Sequence, residues 1–172
     1  MKQSKGVGKM EENPNCKISI KTMWLKEEYH LDYNSIIYDV DGIYYTKQTV
    51  KSLLNAACIE RASTYDGRIQ AARVETTCMK KTPLIICPFE KLYAFPIVSP
   101  SNYGCPWFFP RHIVQAQQEK KGLLKIEFSN GTFTSIEGSL YTFNRQRERA
   151  DHCLNHFSNK LYRQLKWDRL FG

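Results

Sequence analysis

Nowhere in the 172 residues is there an apolar run of about eighteen or more, the length a helix needs to cross a bilayer. The stretch from Met1 to Asn15 is polar and lacks the apolar core of a secretory signal. Phosphate loops are missing too: neither Gly-x-x-x-x-Gly-Lys-Ser/Thr nor Gly-x-Gly-x-x-Gly occurs, and Gly6-Val-Gly8-Lys9 has no strand before it. There is no Cys-x-x-Cys pair. The expectation is a cytoplasmic chain with no membrane span, cofactor or metal centre.

Catalytic constellations are equally thin. His152 and His156 stand at i and i+4 on one helix face, a spacing that can grip zinc, but no Glu follows His152 and Cys153 points about 100° away. A solvated or half-buried helix pair is the simpler duty. Asp39 and Asp41 are explained by a turn, without the further Glu and Lys that a nuclease metal pair needs. Cys105 and His112 flank the apolar Trp107, Phe108 and Phe109, with no Asn or Asp to orient a nucleophile's base. No catalytic residue is assigned.

What the chain does have is positive charge and core material. The net charge is +8, so a polyanion is attracted, whether nucleic acid or an anionic membrane surface. An apolar fraction of 42% suffices for one domain without staples. The six cysteines, Cys16, Cys58, Cys78, Cys87, Cys105 and Cys153, are read as reduced core thiols.

Two units follow: a flexible polar leader over residues 1–15, and a single domain over 16–172. Strand patterning begins at Cys16 and runs to Leu25. Ser35 to Val40 and Ile43 to Lys47 flank Asp41-Gly42, which suits a type I′ hairpin turn. Thr49 caps a helix from Val50 to Ala62 that carries Leu53, Leu54, Ala57 and Cys58 on one face. Thr64 to Arg68 reads as a turn, and Arg68 to Glu75 as a short helical turn or an extended link.

Pro83 to Pro88 and Leu92 to Pro96 are short apolar runs fenced by prolines, which suits edge or entry strands. Strand character resumes at Trp107, and Leu123 to Phe128 pairs with Thr132 to Ile136 across Asn130-Gly131. Last comes a long amphipathic helix with Leu140, Phe143, Ala150, Leu154, Phe157, Leu161 and Leu165 on its apolar face and a gap at Arg147. The fold class is therefore α+β: mainly antiparallel β-sheet, a mid-chain helix and a long C-terminal amphipathic helix.

The cations cluster. Arg61, Arg68, Arg73, Lys80 and Lys81 gather mid-chain, and Arg145, Arg147 and Arg149 alternate near the start of the last helix. From Tyr141 onward seven basic residues stand against Glu148, Asp151 and Asp168. Such side chains neutralise phosphates, and Arg also enters narrow A/T minor grooves; for any one of them, a solvated face is the plain alternative. Arg68 is singled out because it follows a Gly turn that would aim its side chain.

The run from Cys58 to Arg68, with Tyr65 and Gly67, resembles the competence transcription factor family, ComK. Similar blocks continue in order: Lys81 to Pro88, Phe95-Pro96 followed by Ser99, Cys105 with Trp107, and Phe128 to Gly131. The resemblance spans roughly Gln48 to Phe157. It implies a cytoplasmic, nucleoid-associated activator of DNA-uptake genes that binds paired A/T-rich boxes of double-stranded DNA through the minor groove. It further implies a homodimer or dimer of dimers, with RNA polymerase as a possible partner.

Two departures stand out. Glu60, Arg61 and Ala62 replace aromatic and Gly positions common in the family, so target sequences should differ in detail. The longer tail through which better-known members are captured by a Clp-protease adaptor has no counterpart after Trp167 to Gly172, which sets the expectation against adaptor control. Two rival readings remain: a protein-interaction module whose basic last helix docks on an acidic partner or on itself, and a nucleic-acid-processing enzyme built on a metal site that the residues do not assemble.

Overall fold

The computed structural model describes residues 9–171. In chain order the elements are β1 (Met10–Glu12), β2 (Thr22–Glu27), β3 (Ser35–Asp39), β4 (Gly42–Thr46), α1 (Val50–Ile59), α2 (Tyr65–Thr76), β5 (Leu84–Cys87), β6 (Leu92–Pro96), β7 (Trp107–Phe108), a 3-10 turn (Pro110–His112), β8 (Ile113–Lys120), β9 (Leu123–Phe128), β10 (Phe133–Glu137) and α3 (Leu140–Phe171). One sheet has seven strands in the order β1-β4-β3-β2-β7-β6-β5, and a second has three, β10-β9-β8. Every pairing is antiparallel except β1 with β4. The fold is α+β.

Both faces of the large sheet are covered, which is why its strands read as continuous apolar runs rather than as alternation. Successive side chains point to opposite faces. Thus Leu25, Leu84, Ile86, Ala94 and Trp107 meet Val50, Leu53, Leu54 and Ala57 of α1 and Ile69 of α2. Their neighbours Trp24, Phe95 and Phe108 meet Leu124, Ile126 and Phe128 of β9 and Phe143 of α3. Ile85 packs with Ala72 of α2 and Cys153 and Leu154 of α3.

Several expectations are refined. Residues 1–8 of the expected leader lie outside the described residues, while Met10–Glu12 add a parallel strand to β4 with all three side chains exposed. Edge pairing through backbone bonds requires no apolar side chains, so composition did not announce it. The expected strand from Cys16 starts only at Thr22: Cys16 and Ile18 are buried in an irregular segment, and the Thr22 N–H donates to the Ser19 carbonyl (3.1 Å).

The first hairpin forms, but Asp39 pairs with Gly42, leaving Val40 and Asp41 as the loop. Neither has positive φ, so the turn is not type I′. The Val40 N–H is instead drawn to the Lys21 carbonyl (3.0 Å). At the second hairpin Gly131 does occupy the left-handed region, with φ 80°. Of the two proline-fenced strands only β5 is an edge; β6 is interior, its Pro96 at the strand end opposite Trp107.

The largest correction is α2. The residues from Thr64 to Arg68 are not a turn but a capped helix start: Thr64 Oγ1 accepts from the Gly67 N–H (3.0 Å), Asp66 sits in the first turn, and twelve residues follow in helix. Burial of Ile69 and Ala72 rewards the helix. Conversely α1 ends at Ile59, and Ala62 takes a left-handed φ of 56° to turn the chain into α2. In α3 the gap at Arg147 is filled by buried Gln146, so the inward set is Phe143, Gln146, Ala150, Cys153 and Leu154.

Chemical denaturation should rank two variants. Phe108→Ala empties a site with 0% exposure inside an aromatic cluster and is expected to cost about 3–5 kcal/mol. Thr64→Ala removes only a cap and is expected to cost about 1 kcal/mol.

Candidate nucleic-acid interface

Helical geometry splits the three arginines that alternate along the start of α3. Arg145 and Arg149, four apart, share a face, whereas Arg147 lies on another. Arg149 donates through Nη1 to Gln146 Oε1 (3.0 Å) and through Nη2 to the carbonyl of Lys80 (2.8 Å). That bond ties α3 to the loop after α2, where Lys80 is exposed and Lys81 has a left-handed φ of 49°. Lys81 lines a cleft of about 220 Å³ together with Glu137, Thr142 and Phe143.

Arg73, on the last turns of α2, donates through Nε to Thr82 Oγ1 (3.1 Å), whose hydroxyl in turn donates to the Cys78 carbonyl (2.7 Å). Arg145 is exposed and reaches Tyr141 Oη (3.0 Å). Arg149 and Arg73 thus both reach the loop that carries Lys80 and Lys81, and Arg145 lies one turn before Arg149 on the same face of α3. Arg147 turns away, half-buried, to the Ile113 carbonyl (3.4 Å).

Arg61 and Arg68 form a separate group at the α1–α2 junction. Arg61 grips Glu90 through Nε–Oε1 (3.2 Å) and Nη2–Oε2 (2.8 Å), a bidentate pair with only 17% of its side chain exposed. The Arg61 hydrogen bond holds the Glu90 carboxyl below its ordinary range. Arg68 lies within helix α2, not after a turn, so the reason for singling it out does not hold. Its Nη2 donates to the Arg61 carbonyl (3.3 Å), and its Nε is buried without a partner.

Sequence reading missed two cations here, Lys91 and Arg111. They are twenty positions apart, and only the approach of the β5–β6 turn to the 3-10 turn unites them: Arg111 Nη2 donates to the Glu90 carbonyl (2.8 Å). The sole sequence signal was the charged pair Glu90-Lys91 beside Phe89, between two proline-fenced strands.

The other candidate chemistries have structural partners. His156 Nε2 is 2.8 Å from Glu75 Oε2, and Lys160 donates to Glu75 Oε1, which joins α2 to α3. Among the described residues no group of three or more His, Cys, Asp or Glu converges to hold a metal. Both ring nitrogens of His112 are engaged, by Ser129 Oγ (3.0 Å) and the Ile20 carbonyl (2.6 Å). Burial pushes the Cys105 thiol up to about 12 and those of Cys16, Cys58 and Cys153 up to about 11, so all four stay protonated at neutral pH. Among the described residues no helix is long and apolar enough to cross a membrane.

The Glu75 tether is testable by pH. The hydrogen bond from Lys160, then that from His156, lowers the Glu75 pKa, so its stabilisation is present above the unfolded-state value and lost as pH falls through the folded-state one. The stability gap between wild type and Glu75→Gln is expected at pH 7 and should close below the ordinary glutamate value of 4.5, as followed by urea denaturation across pH.

The family model described as ComK protein matches residues 14–162. The competence transcription factor of Bacillus subtilis (strain 168) is 23% identical over 137 residues, which covers 80% of this chain and 71% of that protein. That relative is named as a transcription factor, which is not an enzyme class. No solved structure matches. With the family model spanning most of the chain, from the loop before β2 into the second half of α3, this protein belongs to the ComK protein family.

Proposed function

We propose that the chain is a sequence-specific, DNA-binding transcriptional activator of competence genes. It binds paired A/T-rich boxes largely through the minor groove, as a dimer or dimer of dimers, and works at the nucleoid beside RNA polymerase. The observation that carries this reading is the Arg149 bond to the Lys80 carbonyl. It ties the α3 face that carries Arg145 and Arg149 to the loop of Lys80 and Lys81, which Arg73 also reaches through Thr82, and it supports the reading in a family whose Bacillus subtilis relative is named a transcription factor. Exposed Lys80 and Arg145 suit phosphates, Arg61 and Arg68 act by bracing the neighbouring turn, and Arg147 supports α3 against β8.

Removing a cation that neutralises one phosphate lowers the slope of log affinity against log salt by about one unit. Lys80→Ala and Arg145→Ala are each expected to produce that change in titrations with an A/T-box duplex, and to weaken binding to a G/C-rich duplex in proportion. Equal, salt-sensitive wild-type affinity for both duplexes would refute sequence preference.

A second reading has its own observation. The last turns of α3 stand clear of the body, with Tyr162, Trp167, Leu170 and Phe171 each at least 65% exposed and Leu165 at 46%. On this reading the helix docks on a second copy, and the chain is an interaction module with no direct DNA role. Removing 162–171 is expected to lower the oligomeric state in sedimentation, and on this reading neither the full chain nor the shortened one binds a duplex. Failure of the full chain to bind any duplex would favour the module outright.

A further inference from the structure

The turn joining β5 to β6 is built unlike an ordinary surface loop. Pro88, Phe89, Glu90 and Lys91 make it, closed by the Lys91 N–H donating to the Pro88 carbonyl (3.3 Å), with Lys91 at a left-handed φ of 51°. At its tip Phe89 is 77% exposed, more than any other phenylalanine among the described residues. Exposed to that degree, the ring contributes little to the packing of the chain itself.

The turn behind that ring is fixed from both sides. Arg61 clamps the Glu90 carboxylate through two bonds, Arg111 holds the Glu90 carbonyl, and Arg68 holds the carbonyl of Arg61. These bonds also alter the charge that a ligand would meet. The Glu90 carboxylate is neutralised by Arg61, and Glu60 by Lys17 at 2.6 Å. Exposed Lys91 lies two positions after Phe89 and exposed Arg111 bonds the backbone of the residue between them, so the tip is apolar, braced and flanked by cations.

We propose that this tip is a DNA wedge: Phe89 inserts between adjacent base pairs from the minor groove, while Lys91 and Arg111 hold the flanking phosphates. The inference rests on the DNA-binding reading and assigns the Arg61–Arg68 group its role, which is to position the wedge rather than to touch DNA. An apolar side chain driven into a base step unstacks it and kinks the duplex towards the major groove. Pyrimidine–purine steps such as TA open most easily, so the wedge would contribute preference for A/T-rich sites without hydrogen bonds to base edges.

The test uses the full chain with an A/T-box duplex carrying a fluorescent adenine analogue at a central TA step and a dye pair at its ends. Wild type is expected to raise the analogue's fluorescence by unstacking and to shorten the end-to-end distance. Phe89→Ala is expected to lose both signals and to bind about tenfold more weakly, a typical effect of deleting one aromatic ring that stacks on a base. Its unfolding midpoint should not move, because the side chain is exposed. Phe89→Leu should retain most of the bend, as other apolar wedges do.

Equal affinity and equal bend for Phe89→Ala would sink the wedge and leave the DNA-binding reading standing. Weaker binding with an unchanged bend and no unstacking in wild type would also reject it, in favour of a groove contact without insertion. If wild type binds no duplex, the DNA-binding reading fails and the wedge fails with it.

Discussion

Strand β7 is only two residues long, yet the rest of the fold hangs on it. Trp107 and Phe108 pair with Leu25 and Trp24 of β2 on one side and with Pro96 and Phe95 of β6 on the other, joining a four-strand N-terminal block to the β5–β6 hairpin. Because neighbouring strand residues point to opposite faces, Trp107 fills the core under α1 while Phe108 fills the core under the small sheet and α3. Phe108 stacks with Trp24 and Phe128 and meets Phe95 and Phe143 at tilted or edge angles, so five aromatic residues from five elements share one centre.

That two-sided burial decides where cations end up. Covering the sheet with α1 and α2 on one face and α3 on the other brings the end of α2 against the middle of α3, where Glu75 bonds to His156 and Lys160. A little earlier on α3, Arg149 reaches the loop that follows α2. The positive charge is thus not spread evenly over the chain: some guanidinium groups fasten carbonyls and carboxylates, and the cations left free lie beside them. Arg61 illustrates the first kind and Lys80 the second.

Much of the architecture was legible locally. The Thr49 cap and the Asn130-Gly131 hairpin each depend on interactions within a few residues and formed where patterning placed them, while the apolar stripe of α3 is buried at Phe143, Ala150 and Leu154 but exposed at Leu165. Helix α2 was not legible, because Gly67 reads as a turn residue until Thr64 is seen capping it. Its apolar face consists of only Ile69 and Ala72, too little for periodicity to register. Strand β1 was invisible for a related reason: all it contributes is backbone to a neighbouring edge.

By itself, then, the sequence determined the class of the fold, the helices and hairpins with strong local signals, the excess of positive charge and the ordered blocks that mark the family. It did so because periodicity, capping and turn chemistry act between near neighbours. Only the tertiary structure decided that Arg149 would meet the carbonyl of Lys80, 69 positions away, that Arg147 would turn inward, and that Arg61 and Arg111 would brace a turn tipped by Phe89. Those bonds join side chains to groups of distant segments, and no local pattern encodes which segments a packed sheet brings into reach.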